Sequence, residues 1–455
     1  MMYDLVVRGG EVVSHDSRRR IDLAIRDGKV VGLGTDLADG VSEIDARGLV
    51  VLPGLVDMHV HLREPGMTEK EDFHFGTQAA AAGGVTTVVD MPNTSPPVAT
   101  AQIFQAKLDL VRPKAHVDFG LYGMLGQDNA SEIAAMAELG AMGLKLFMGQ
   151  TTGDNPCPDD AAILLGLRAA RDAGLVVGVH AENDRVLRLL ASELRTAGRT
   201  DPIAHLESRP SFVEEEAIAR ILTLARAAGT QLHIHHLSTA AGLALLNAAR
   251  LRGQDVSGEV LVAHLLLDDR AYDTYGNLIK LNPPIRPASD VAALWDGVTR
   301  GQIQVLATDH APHTLDEQHE TDVWRAPGGF IGLETMLPLM LTEVAKGRLG
   351  LTDLVALAAW RPASIWKIAD RKGHLGIGAD ADFNLVDLDA EGTIDDSRLH
   401  SRNPISPYNG WPTRGALRAT YLRGTLIAKD GQVLGEPTGR FLSPAHHADA
   451  LPSTS

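Results

Sequence analysis

A single cysteine, Cys157, stands in 455 residues, so no intramolecular disulfide framework can brace this chain. Aromatic residues make up only 4 %, so the core has to be built from aliphatic side chains, which an apolar content of 44 % supplies. No uninterrupted apolar run is long enough to span a bilayer. The opening MMYDLVVRGG has no basic stretch followed by an apolar one, so no secretory signal is read there and a cytoplasmic location is expected. Lys and Arg total 42 against 58 Asp and Glu, a net charge of −16. That balance argues against nucleic acid as a partner, and any anionic substrate would need a locally positive pocket. No GxGxxG follows the first strand pattern, so the usual mark of a dinucleotide-binding sheet is missing.

The length suggests two domains, or one large barrel with an appendage. The first fifty residues read as short strands. DLVVRGGEVV turns at Gly9-Gly10, and Asp27-Gly28 in DLAIRDGKVVGLG is a two-residue hairpin signal. The same texture returns in ADFNLVDLD (381–389) and RATYLRGTLIAKDGQVL (418–434), where Asp430-Gly431 marks a turn. These two ends are read as one small β-sandwich domain, made of residues 1–54 and 371–440. A tail from 441 to 455, rich in Pro, Ala, His and Ser, is expected to be disordered. Between them strand and helix patterns alternate. VLPGLVDMHVHL reads as a strand, capping-box spacing at Thr68–Glu71 predicts the start of a helix, and Gly83-Gly84 predicts its end. VTTVVDM, DFGLYGML, GLKLFMG, LVVGVHAE, QLHIHHLS, GEVLVAHL or LIKLNP, and QVLATDHA supply further strands. About eight such units is the count for a closed (β/α)8 TIM barrel. The predicted class is therefore α/β, with the barrel over 55–370.

The polar residues sit where the apolar runs end. His59, His61 and Arg63 end the first run, and Asp90 and Asn93 the second. Lys145 lies inside GLKLFMG, His180 ends LVVGVH, and His235 and His236 end QLHIHH. Asn282 ends LIKLN; Asp309, His310 and His313 end QVLATDHAPH. In a barrel these strand ends open on one face, where chemistry is done. His59 and His61 are two apart, so in a strand both project to one side, and two neutral imidazoles there can share a metal. An isolated HxH is more often two ordinary strand histidines; His180, His236 and Asp309 at other strand ends reverse that weighting. Lys145 is a poor metal ligand as an ammonium, which has no lone pair. Its place makes sense if it is converted to an oxygen ligand, though neither composition nor spacing shows that.

HVHLREPG, DMPNT, GLKLFMG, VHAEN, HHLST, NPPIR and TDHAPH succeed one another in an order that resembles the amidohydrolase superfamily, in its cyclic-amide branch. That branch holds dihydroorotase, allantoinase, hydantoinase and dihydropyrimidinase, and the resemblance covers essentially the whole chain. It implies two divalent ions, expected to be zinc. His59 and His61 would bind the more buried one, His180 and His236 the second, and a carboxylated Lys145 would bridge them. Asp309 would bind the first ion and carry protons, with a hydroxide shared by the two ions as the nucleophile. His235, adjacent to His236, would point the other way, into a packing or supporting role. A homodimer or homotetramer is implied, acting on a small cyclic amide or ureide.

Substrate choice has to lie in residues that are not metal ligands. Dihydroorotases hold a ring carboxylate with the arginine of HxHxR, the asparagine of MPN and the histidine of DHAPH, here Arg63, Asn93 and His313. Asn282 of NPP and Gly328 and Gly329 of APGG would contact the ring amides. Arginine suits a carboxylate because it is always charged and offers a planar fork. The expected function is therefore dihydroorotase, the reversible interconversion of N-carbamoyl-L-aspartate and dihydroorotate in pyrimidine biosynthesis. Allantoinase comes second and hydantoinase or dihydropyrimidinase third; an inactive dihydroorotase-like scaffold is the non-enzyme alternative. SRPSFVEEEAI (208–218) and SPYNGW (406–411) look as much like allantoinases, and Ala263 stands before His264 where a proline is common.

Overall fold

The computed structural model describes residues 2–152 and 156–445. Eight parallel strands keep chain order in one sheet. They are β1 (Leu55–Val60), β2 (Val85–Asp90), β3 (Asp118–Leu125), β4 (Gly143–Phe147), β5 (Val177–His180), β6 (Leu232–Ile234), β7 (Val256–Leu261) and β8 (Val305–Ala307). A parallel bridge from Val60 to His310, with the His61 N–H on the His310 carbonyl at 2.7 Å, brings the first strand against the segment after the last. The sheet is thus a nearly closed TIM barrel. Every residue of these strands is buried, because helices cover the outside and side chains fill the inside. That is why they read as continuous apolar runs rather than as alternating ones.

The chain ends build two further sheets. One has four strands, in the order 29–34, 22–26, 3–8, 40–45. The other has seven, in the order 432–433, 425–429, 412–422, 383–393, 50–53, 11–13, 18–20, so both chain ends contribute to it. Phe383 pairs with Pro53 and Val386 with Val50 across that join. Leu5, Leu23 and Ile25 of the first sheet share an apolar cluster with Val51, Phe383 and Leu385 of the second, which makes the pair a sandwich. The two hairpins expected at Asp27-Gly28 and Asp430-Gly431 are present, with positive φ at both residues of each turn. The sandwich is tied to the barrel by charge as well as by packing. Lys372 Nζ lies 2.5, 2.9 and 2.7 Å from carboxylate oxygens of Asp118, Asp380 and Asp382, and Arg423 pairs with Asp118.

Three sequence-based expectations need correction, and one open alternative is decided. VLPGLVDMHVHL is two strands, Val50–Pro53 in the sandwich and β1 in the barrel, separated at Gly54. A Cβ at Gly54 would come within 2.1 Å of Thr86, so the crossing between the two bodies needs that glycine. The helix after β1 runs over Phe73–Ala82 and is capped by Asp72, whose side chain accepts from the Phe75 N–H, not by Thr68. Strand β7 is the GEVL segment; the alternative at LIKLNP instead begins in a 3-10 turn over Gly276–Ile279. Phe441 bridges Phe119, and Leu442 and Ser443 are buried, so the expected tail is packed as far as Ala445; residues 446–455 lie outside the described residues. Among the described residues no helix is long and apolar enough to cross a membrane.

Candidate metal centre and substrate pocket

His59, His61, Lys145, His180, His236 and Asp309 line one inner cavity at the C-terminal mouth of the barrel, together with Arg63, Asn93, Asn282 and Gly328. It encloses about 20 Å³ and adjoins an outer cavity of about 300 Å³, with which it shares Thr151, Thr152, Asn282 and Gly328. Three of the site residues are non-glycine residues with positive φ: Arg63 at 62°, His236 at 37° and Asp309 at 48°. Each stands just past a strand, where the chain turns its side chain back over the barrel mouth. Such conformations cost of order 1–3 kcal/mol and persist where surrounding structure enforces them. Asp90 enforces the first. It accepts from the Leu62 N–H at 2.7 Å and is ion-paired to buried Lys107, so it anchors the turn and is not a ligand.

The donors converge in two groups. His59 Nε2 and His61 Nε2 lie 3.3 and 3.0 Å from Asp309 Oδ1. His180 Nδ1 lies 3.1 Å from His236 Nε2. Ligand nitrogens about 2.0–2.1 Å from a tetrahedral zinc would stand about 3.3–3.4 Å apart. Lys145 Nζ and His236 Nδ1 are buried without a hydrogen-bond partner, and Asp309 Oδ1 faces only the two imidazoles. Buried polar atoms are normally satisfied, so this cluster of orphans fits a site shaped for cations. Burial pushes the His61 imidazole down to about 3, and also lowers His180 and His236, which leaves lone pairs free for a metal. Burial also lowers Lys145, to about 8. It would raise Asp309, but His59, His61 and Lys145 outweigh it and hold that carboxylate well below its usual range.

Each group has its own orienting partners, and most of these escape a reading of the sequence. Glu259, a lone carboxylate in the middle of apolar β7, meets His59 Nδ1 with one oxygen and His233 Nε2 with the other, at 3.1 Å. It also accepts from the His236 N–H at 3.1 Å. Holding Nδ1 leaves Nε2 of His59 facing Asp309. Asn93 does the same for His61: its Oδ1 accepts from Nδ1 at 2.9 Å, and its Nδ2 donates to the Thr152 carbonyl at 3.1 Å. Both ends of an amide expected to meet substrate are thus engaged by protein. Glu182, two residues after His180, accepts from His180 Nε2 at 2.8 Å and is paired with Arg209. A charged residue inside an apolar strand is the signal that could have found Glu259. Glu182 stands in the VHAEN motif itself.

His235 points into the barrel beneath the metal ligands. Its ring is 4.4 Å from that of His59, its Nδ1 is 3.0 Å from Glu259, and a Cβ at Gly178 would come within 2.0 Å of its Nε2. His264 is buried behind the pocket, 3.2 Å from the Pro283 carbonyl, and so holds the NPP turn. Arg63 is 2 % exposed. Its Nε donates to the Pro312 carbonyl at 3.1 Å, and its Nη2 lies 3.2 Å from His313 Nε2. No ion pair reaches it among the described residues. Burial, and Arg63 beside it, push His313 down to about 4, so this imidazole is neutral. Asn282 Oδ1 is buried and unpartnered. The Gly329 N–H donates to the Lys280 carbonyl and its own carbonyl accepts from Gln318, so this amide is already used, contrary to expectation.

The amidohydrolase family model matches residues 50–427. An allantoinase of Rubrobacter xylanophilus is 41 % identical over 447 residues, 97 % of this chain and 98 % of that one. A dihydroorotase of Methanothermobacter thermautotrophicus is 36 % identical over 449 residues, 98 % of each chain. The solved L-hydantoinase of Arthrobacter aurescens superimposes with a TM-score of 0.95 at 36 % identity, covering 97 % of this chain and all of that one.

Proposed function

The chain belongs to the amidohydrolase family and is a hydrolase of cyclic amides; we propose that its substrate ring carries a carboxylate, which makes it a dihydroorotase. One observation carries this reading. Arg63 is a buried guanidinium in the wall of the inner cavity with no anionic partner among the described residues. A buried charge left unpaired is costly, so an anion from the substrate is its natural complement. The neutral imidazole of His313 lies beside it to complete the carboxylate site, and Asn282 and Gly328 face the ring. Asn93 is not part of that carboxylate site, because its amide is engaged by His61 and the Thr152 carbonyl.

In this reading two divalent ions would complete the site: His59, His61 and Asp309 would hold one, His180 and His236 the other, and Lys145 would serve as an oxygen ligand if its amine took up carbon dioxide as a carbamate. An amine brought down to about 8 is available for that reaction, and its lack of a hydrogen-bond partner leaves room for it. The nitrogen and oxygen donor set suits zinc, manganese or cobalt. When bound, the ions polarise the amide carbonyl and lower the pKa of water towards neutrality. The Asp309 carboxylate then serves twice: it accepts the proton of the attacking water and returns it to the ring nitrogen as the C–N bond breaks. An amide nitrogen leaves poorly without that proton. Ring closure of N-carbamoyl-L-aspartate runs the same transfers backwards.

Allantoin, a neutral ureide, is the second reading, favoured by the 41 % identical relative. Parallel assays with dihydroorotate, allantoin, hydantoin and dihydrouracil decide between them. The highest kcat/KM is expected for dihydroorotate; a clear preference for allantoin would overturn the carboxylate reading.

A further inference from the structure

The segment 208–218, SRPSFVEEEAI, has no part in the hydrolytic chemistry, yet two of its charged side chains, Arg209 and Glu214, are buried beside one half of the site. Arg209 sits between the helices Ile203–Ser208 and Ser211–Ala228 and is 6 % exposed. One guanidinium nitrogen donates to Glu182, the carboxylate that holds His180, and another donates to the Gln150 carbonyl at 3.0 Å. The Arg209 carbonyl accepts from Arg286, whose Nε donates to Ser238 Oγ at 2.9 Å. Glu214, five residues further on and 2 % exposed, accepts from the N–H groups of Ser238 and Thr239, at 3.1 Å each, and from both hydroxyls. Ser238 and Thr239 lie two and three residues beyond His236. One short segment therefore reaches His180 through Glu182 and the backbone after His236 through Glu214. His59 and His61 are held by other partners, Glu259 and Asn93, of which Glu259 also accepts from the His236 N–H at 3.1 Å.

We infer that Arg209 and Glu214 are positioning residues for the His180–His236 pair alone, so that this segment sets the affinity of the second metal position and not of the first. The inference rests on the reading that both pairs hold ions. Physically, Glu182 accepts from His180 Nε2, which fixes the tautomer that presents Nδ1 to His236. Arg209 fixes Glu182 in turn. Without Arg209, a carboxylate buried among apolar strands is free to rotate or to take up a proton, and the imidazole loses its orientation. Partners of this kind change metal affinity by about 10–100-fold.

The test measures zinc per chain by elemental analysis after equilibration over a series of buffered free zinc concentrations. Wild-type protein is expected to fill two sites. Arg209→Met is expected to fill the first at the wild-type concentration and the second only at about 10–100-fold higher zinc. Arg209→Lys should recover part of that loss, because the charge on Glu182 is restored. Glu182→Gln is the near-isosteric second variant and should show the same split if Arg209→Met does not fold. Two filled sites at wild-type affinities in a folded variant would overturn the inference, as would equal weakening of both sites. Wild-type protein that takes up no zinc, manganese or cobalt would instead remove the two-metal reading on which the inference stands.

Discussion

Arg63→Met removes the charge but keeps most of the side-chain volume, and it leaves the backbone at 63 to the same turn. If Arg63 meets the ring carboxylate, the variant strips one partner from a desolvated ion pair. Arg63 is 2 % exposed, so little screening by solvent softens the loss. Removing one partner of a buried pair costs about 3–5 kcal/mol, and about 1.4 kcal/mol is tenfold in affinity. The expected fall in kcat/KM for dihydroorotate is therefore roughly 100- to 3,000-fold. Arg63 faces a substituent, not the breaking C–N bond, so the loss should fall mainly on KM. Dihydrouracil and hydantoin have the same reacting amide without the carboxylate and should lose less than about tenfold, the scale of a packing change. The diagnostic quantity is the ratio of the two effects. Burial lowers Arg63 only to about 10, well above neutral pH, so the guanidinium stays charged and KM for dihydroorotate should be flat with pH around neutrality. Equal losses for charged and neutral rings would refute the carboxylate assignment and return Arg63 to a structural role.

Asp309→Asn should lower kcat by about 100- to 10,000-fold, the usual scale for a lost general acid–base group, while metal analysis still finds part of the metal; a near-normal kcat would remove the proton transfer from this residue. Glu259→Gln should weaken zinc at the His59–His61 position by about 10–100-fold in chelator competition, because the charge on His59 Nδ1 is lost. Lys372→Met leaves Asp118, Asp380 and Asp382 buried together and should destabilise the fold by about 3–5 kcal/mol, read as a large fall in Tm. The same carboxylates raise the Lys372 ammonium above the usual lysine range, so its contribution is complete at neutral pH and lost only in strong alkali. Gly178→Ala drives a Cβ to within 2.0 Å of His235 Nε2 and should cost about 1–3 kcal/mol; His235→Ala in the same chain should recover most of it in thermal unfolding.

The barrel was legible because strands covered on both faces are long apolar runs, and helices separate them at a regular interval. What the sequence hid were transitions without a change of composition. Val50 to Val56 is apolar throughout, yet the chain crosses from the sandwich to the barrel at Gly54, and only the contact with Thr86 shows why a glycine stands there. Thr68 and Glu71 have the spacing of a helix start. Asp72 takes the role instead, because residues 63–70 first have to turn over the pocket with Arg63 at positive φ. Local signals predicted a local structure that the site overrides.

The same distinction divides the site. His59, His61, His180, His236 and Asp309 were legible because each ends an apolar run, a local property. The partner of His59 was not, because Glu259 lies 200 residues away in the sequence. Asn93 is the case where a hidden partner matters most for substrate choice. The sequence places it on the substrate, beside Arg63, but its amide joins His61 to the Thr152 carbonyl. A residue that orients a ligand is needed for every ring the site opens, so Asn93 cannot discriminate between rings. Arg63 and His313 are not among the proposed metal ligands; they bond to each other, and Arg63 to the Pro312 carbonyl, so on the carboxylate reading they can. On the carboxylate reading substrate choice hangs on these two side chains, so similarity over the whole chain and the pocket can point to different rings.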